Sequence, residues 1–540
     1  MSGRIAAGID ALALALGGAL LVLLGGIWAS HLAYPYDIEW MEGGMLAHAW
    51  RVQRGLPLYA PPSSEWVPYV YPPGYSWIVA ALAAVVPLDY ALGRAVSLAA
   101  TLVAAGAAGA AVLRVSADRR AALWSGLVFL GAYPASGAFY DLVRPDALFV
   151  ALAGLAVVLA LGDTAIAAVG SGLLLAAALL CKHNAAVLVV PLLGSLLLRR
   201  EWARAALFCV AFGVPVALAV GWLQQASGGW FLAYLVEVPA AHPLVFTRIL
   251  PGLPREVGGA FPLALAAMAG TAVLALRPAG PAAILGPVVG GLLFVALGDS
   301  VPPAEAQASL GGPLVGVGAG ALGVLLVALG VGAVRGQRPP WRIGLLLGAG
   351  VTLLLAVGLM RAHNGGFLNV YMPLHWILAV GFGVTLAGWR ARGLAVVAAS
   401  AVAIQLAWQL AILDVRALTP TAADRAAGDR IVEIGRAAPP GPVFSPYAPW
   451  IPVRAGREPS LALIGLWDLE YEEGPLRDHA RRVHAEIRAR HFPLVLDGTR
   501  PFGRGIGEAY RLDAPIGLEE GVFMPRTGFP VRPESTWVPR

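Results

Sequence analysis

Apolar stretches of close to twenty residues recur along this chain from residue 10 to about residue 412, and then stop. A bilayer core about 30 Å thick takes roughly 20 apolar residues per helical crossing. Inside lipid, every backbone polar group has to be satisfied within its own segment, so such stretches read as helices. The chain is 58% hydrophobic and 13% charged, with mean hydropathy +0.72, far outside the range of soluble domains. The expected fold class is an all-α polytopic membrane protein of about 13 transmembrane helices, with a small C-terminal α/β soluble domain.

The charges divide at the same point. Residues 413–540 carry 17 basic and 17 acidic side chains, as an ordinary soluble domain would. The net +6 therefore belongs to residues 1–412, where 21 basic side chains meet 15 acidic ones. Positive loops beside a membrane account for it, so no nucleic-acid partner is expected. Cys181 and Cys209 fall near opposite faces, too far apart to pair. The amino terminus shows no cleavage site that stands out and reads as the first span.

The predicted spans are 10–30, 91–115, 121–140, 147–162, 164–180, 185–198, 205–224, 258–276, 281–297, 310–334, 342–359, 372–389 and 393–412. With the amino terminus cytoplasmic, the inner connections hold 13 basic residues against four acidic ones, and the outer face holds 8 against 11. That asymmetry sets the orientation and places the tail outside the cytoplasm, consistent with a bacterial inner (plasma) membrane. Residues 73–88, bounded by prolines, then read as a juxtamembrane helix on the outer surface. Two outer loops are long, at 31–90 and 225–257, and the first includes a helix-compatible stretch from Asp37 to Gly55. In the tail, 421–437 and 475–491 read as amphipathic helices, the second striped by Leu476, Ala480, Val483 and Ile487. Strands are expected at 442–445, 493–496 and 521–524.

Polar chemistry gathers on the outer face. The first loop places Asp37, Glu39 and Glu42 within six residues, and on a helix Glu39 and Glu42 would share a face. Sugar transfer to a hydroxyl needs a carboxylate that takes the acceptor's proton, or one that holds a divalent cation such as Mg or Mn. The plainer reading is an acidic cap at a helix start. Asp141 and Arg144-Pro145-Asp146 form a second acidic site, where Asp146 equally suits a cap. Lys182 is the only lysine, against 37 arginines. At the outer end of a span, beside His183 and Asn184, it suits a phosphate oxygen, the alternative being a snorkelling lysine. A third polar loop runs from Arg361 through His363 and Asn369 to Tyr371. His242, Arg248 and Arg255 in the second long loop are suggestive but unspecific. No metal-ligand spacing, phosphate loop or nucleophile elbow is present.

These features resemble a family. The acids after the first span, Gly55-Leu56-Pro57-Leu58-Tyr59, and Tyr71-Pro72-Pro73-Gly74-Tyr75 opening a juxtamembrane helix are similar to the GT-C superfamily of membrane glycosyltransferases. The likeness is to its glycosyltransferase family 39-like branch of protein O-mannosyltransferases and aminoarabinose transferases. It covers residues 1–410 in layout and concentrates in 34–75 and 140–184. It implies a polyprenyl-phosphate sugar donor, inversion at the anomeric carbon, and a lipid, glycan or protein acceptor. The catalytic carboxylate would fall on Asp37, Glu39 or Glu42, with Asp37 or Glu42 favoured; the adjacent Asp-Glu pair common in that family, which would separate the two, is absent here. Lys182, Arg144 and Arg361 would contact the donor phosphate. Asp146, His183, Tyr71, His363, Asn369 and Tyr371 would line the substrate site. A lipid-linked-sugar flippase, an O-antigen ligase or polymerase, and a catalytically inert scaffold are the alternatives.

Overall fold

The computed structural model describes residues 2–249, 252–276, 313–471, 473–489, 492–498 and 506–540. Most predicted spans among them coincide with helix, but the helix in the predicted span 121–140 ends at Gly131, and the predicted span 258–276 is broken at Phe261; the predicted span 281–297 lies outside the described residues. Among the described residues, six helices are long and apolar enough to cross a bilayer, or up to eight if each of two bent pairs is one span. The expectation of 13 exceeds this number. The difference lies in short apolar helices such as Arg119–Gly131, Asp146–Ala160 and Ala165–Cys181. A 15-residue helix is about 22 Å long, and two-thirds of Asp146–Ala160 is buried against other helices. Hydropathy alone does not separate such buried pieces from full crossings.

Two sets of loops gather at opposite ends of this bundle. At one end Asp10 pairs with Arg120 and Arg390, and Asp163 with Arg199 and Arg342. At the other end of the helix Ser2–Ala33, His31 meets Asp141 at 2.7 Å and the carbonyl of Leu418 at 2.8 Å. The start of the tail thus lies at the far end of the first helix from Asp10.

The first outer loop is held by Arg94, fully buried in the helix Tyr90–Ser116. A guanidinium has five N–H donors, and all five are used. Nε and Nη2 donate to Glu42 at 2.9 and 2.6 Å, Nη1 to the carbonyls of His31 and Tyr34, and Nη2 to that of Tyr36. Glu42 also accepts from the backbone N–H groups of Ile38 and Val143. Because this ring of bonds shapes residues 31–42, the helix begins at Glu42 instead of Asp37. Glu39 and Glu42 therefore do not share a helical face: Glu42 turns to Arg94 and Glu39 to Arg144.

The juxtamembrane helix is Gly74–Leu82. A Cβ at Gly74 would stand 2.6 Å from the Leu180 carbonyl oxygen, so glycine is what lets this helix abut the end of Ala165–Cys181. Cys181 is buried and Cys209 exposed, both free.

The tail folds into the helices Ala422–Ala437 and Arg477–Ala489 and a sheet. Its strands are β1 (Val443–Phe444), β2 (Leu494–Gly498), β3 (Tyr510–Pro515) and β4 (Pro533–Pro539), in the order β1-β2-β4-β3. Only the β1–β2 pairing is parallel. Leu476, Ala480, Val483 and Ile487 are all buried. Residues 521–524 are a turn, where the Phe523 N–H donates to Asp424 and the ring packs on Tyr36. Strands β3 and β4 escape sequence reading because prolines and charges interrupt them. The tail shares its apolar clusters with the outer loops: Ile431 and Val443 join Tyr36, and Leu463 and Val495 join Tyr59 and Phe231.

Removing one partner of a buried ion pair typically costs about 3–5 kcal/mol. Arg94→Ala is therefore expected to lower the unfolding midpoint in detergent strongly. Arg481→Ala, which removes an exposed pair with Asp478, is expected to leave it unchanged.

Candidate functional site

Where the outer loops and the tail meet, they enclose a cavity of about 1100 Å³. Its wall takes Glu39 and Tyr71 from the first loop, Arg144 from the second acidic site, and Lys182 and His183 from the loop after Ala165–Cys181. Pro239–Arg248, the 363–370 loop, and the tail segments 464–471 and 528–530 complete it.

Arg144 organises the charged part of the wall. Nη1 lies 3.2 Å from Glu39 Oε2, Nη2 donates to the Tyr71 hydroxyl at 2.7 Å, and the guanidinium lies over the Tyr71 and Phe139 rings. Its Nε is buried with no hydrogen-bond partner among the described residues; Asp146 Oδ2, equally unpartnered, is 3.8 Å away. Asp146 does not cap its helix. Its other oxygen accepts from Lys182 Nζ and from Asn369 Nδ2. Lys182 is buried, so it is an ion-paired group and not a snorkelling one.

Glu39 is buried, with one hydrogen bond from the Met41 N–H at 3.2 Å besides Arg144. Burial pushes its carboxyl up to about 7, against the opposing pull of Arg144. Such a group changes ionisation near neutral pH. The tail reaches it directly: the Arg526 N–H donates to the Ile38 carbonyl, and Gly528, at φ +81°, would place a Cβ 2.8 Å from Glu39 Oε1.

Of the residues the sequence singles out, Glu39, Tyr71, Arg144, Lys182, His183, Asn184, His242, Arg248, His363 and Asn369 meet on this cavity. Asp37, Glu42, Asp141, Asp146, Arg255, Arg361 and Tyr371 do not line it. Glu42 is locked to Arg94, and Asp146 stands behind Lys182. Asp37 is half-buried and accepts from the Gly43 N–H at 2.7 Å and from Tyr90. Burial, then the neighbouring Glu42 charge, pushes its carboxyl well above the usual carboxylate range. Arg361 forks onto Glu256, whose carboxylate also accepts from Tyr371 at 2.5 Å. This pair braces the 363–370 loop from behind.

Sequence reading missed the tail's share. Asp468 is the second carboxylate on the wall, pushed by burial up to about 7 against the opposing charge of Arg144. Trp467, Tyr471 and Phe529 stand beside it. No spacing in the sequence ties them to Glu39, since folding alone joins segments more than 400 residues apart. Among the described residues no group of three or more His, Cys, Asp or Glu side chains is arranged to hold a metal ion.

No protein-family model matches the chain, and no curated protein matches it. Among solved structures, it is similar to ArnT from Cupriavidus metallidurans in the apo state, at 17% identity over 82% of this chain and 84% of that one, with a TM-score of 0.45. It is also similar to the same protein bound to undecaprenyl phosphate, at 16% identity over 83% and 85%, with a TM-score of 0.44.

The electrostatics predict a titration. The infrared band of a protonated carboxylic acid present in wild type and absent in Glu39→Gln is expected to vanish as pH rises through about 7. In Arg144→Met the same band is expected to persist to higher pH, because the opposing cation is gone. A midpoint that stays put would mean that Arg144 does not act on Glu39.

Proposed function

We propose that this protein is an integral membrane glycosyltransferase that moves a sugar from a polyprenyl-phosphate donor to an acceptor hydroxyl, with inversion. The observation that carries this reading is the cavity wall on which Glu39, Arg144 and Lys182 stand together at the ends of apolar helices. A lipid-phosphate leaving group needs cations at membrane level, and its transfer to a hydroxyl needs a base beside them.

In this reading Glu39 accepts the proton of the acceptor hydroxyl as its oxygen attacks the anomeric carbon. The bond from that carbon to the phosphate oxygen breaks on the opposite face, and negative charge grows on the departing polyprenyl phosphate. Arg144 and Lys182 stabilise that growing charge more than they stabilise the intact donor, which is what lowers a barrier. The unpartnered Nε of Arg144 supplies a donor that no protein group uses. A base that ionises near neutral pH is well matched to this task.

The basic loops gather at the opposite end of the bundle, which by the positive-inside rule makes the cavity end extracytoplasmic. The 13-span arrangement, with residues 413–540 as an extracytoplasmic domain, belongs to the same proposal.

The test is transfer from radiolabelled polyprenyl-phosphate sugars in liposomes, with donor binding measured alongside. Glu39→Gln is expected to lose about 10²–10⁴-fold in turnover while still binding donor, and Lys182→Ala to weaken donor binding. Wild-type activity should rise as pH passes through about 7, and its loss in a chelator would show that a divalent cation takes part. Movement of intact lipid-linked sugar across the bilayer, with no transfer to any acceptor, would instead make the protein a flippase.

A further inference from the structure

The charged wall occupies only part of the cavity. At about 1100 Å³ the space exceeds the roughly 300–1,000 Å³ that usually encloses one small ligand. The remainder is lined by groups of a different character. Trp40 from the first loop packs with Trp467 and Phe529 from the tail, ring centroids 5.5–5.9 Å apart. All three are half-buried and border the cavity. Next to them Asp468 presents its carboxyl, and the His242 ring packs at a tilt against Tyr471, centroids 4.3 Å apart.

The His242 ring carries a second, independent indication. Its Nε2 faces the Asp468 carbonyl oxygen at 3.0 Å, an acceptor, so Nε2 bears the hydrogen. In the neutral ring Nδ1 is then a bare acceptor, and it is buried with no partner among the described residues. His183 Nδ1, on the same cavity, is likewise buried with no hydrogen-bond partner among the described residues. Buried polar atoms without partners are rare and call for a ligand or water to complete them. Flat aromatic faces beside a carboxylate and imidazole acceptors fit one class of molecule: a ring that is apolar on its faces and carries hydroxyl donors around its edge.

We propose that Trp40, Trp467, Phe529, Asp468 and His242 form a saccharide subsite for the acceptor, so that the hydroxyl attacked belongs to a glycan and not to a protein side chain or simple lipid. The subsite is built jointly by the first loop and the tail, and it rests on the transferase reading. A sugar ring of the acceptor stacks on the Trp467–Trp40 face, its hydroxyls donating to Asp468 and to His242 Nδ1. The neighbouring wall with Glu39 and Arg144 stays free for the donor.

The experiment is saturation-transfer NMR on the full-length protein in detergent, with mannotriose, maltotriose and chitotriose as probes and polyprenyl phosphate binding measured on the same samples. At least one trisaccharide is expected to bind wild type. Trp467→Ala and Asp468→Asn should each weaken it at least tenfold, whereas Trp467→Phe, which keeps a flat ring, and Lys182→Ala should retain it. Polyprenyl phosphate binding should survive both tail substitutions, which also shows that the variants are folded. If wild type binds polyprenyl phosphate but none of the trisaccharides, or if both tail variants bind them as wild type does, the subsite proposal is overturned while the transferase reading stands. If wild type binds trisaccharide at Trp467 but never polyprenyl phosphate, the transferase reading fails instead.

Discussion

Arg94 is the group on which the rest of the cavity end depends. A guanidinium buried in an apolar helix costs several kcal/mol unless every donor is matched. Here one carboxylate and three carbonyls match all five. The three carbonyls come from the last turn of the first helix and the chain just beyond it, so residues 31–36 are drawn against the helix Tyr90–Ser116. Glu42 then carries the constraint onward by accepting from Ile38 and Val143. One ion pair thus sets the first loop and positions the second acidic site against it. Glu39, three residues from Glu42, is left facing the other way.

Charge balance on the wall follows from that placement. Arg144 and Lys182 are each paired, with Glu39 and Asp146 respectively. The hydrogen bonding is incomplete, because Arg144 Nε and Asp146 Oδ2, 3.8 Å apart, keep no hydrogen-bond partner among the described residues. In a low-dielectric cavity such groups interact strongly with a charge that develops beside them. The tail closes this arrangement instead of standing apart: residues 526–530 lie against the first loop, and 464–471 bring aromatic rings and Asp468 to the opening.

How much of this the sequence discloses depends on the distance over which each signal acts. Helix positions are local, and hydropathy finds them; whether a helix of 13–17 residues crosses lipid or lies buried is a tertiary matter that hydropathy does not decide. Arg144, Lys182 and His183 are legible because polar groups at the ends of apolar runs are costly and stand out. By the same reasoning Arg94, lying inside a predicted span, was a visible signal of a buried partner. The choice among Asp37, Glu39 and Glu42 was not legible, since it turns on which one Arg94 claims. Asp468 and Trp467 were hidden more deeply. They sit in a segment of ordinary soluble composition, and only the packing of the tail on the first loop brings them to the cavity.

The most direct test is a cryo-electron microscopy structure of the full-length protein with polyprenyl phosphate in a lipid nanodisc. This account predicts the phosphate inside the cavity, within hydrogen-bonding distance of Arg144 and Lys182, with Glu39 facing the space beside it. A phosphate held elsewhere, with Arg144 and Lys182 still engaged only by Glu39 and Asp146, would contradict it.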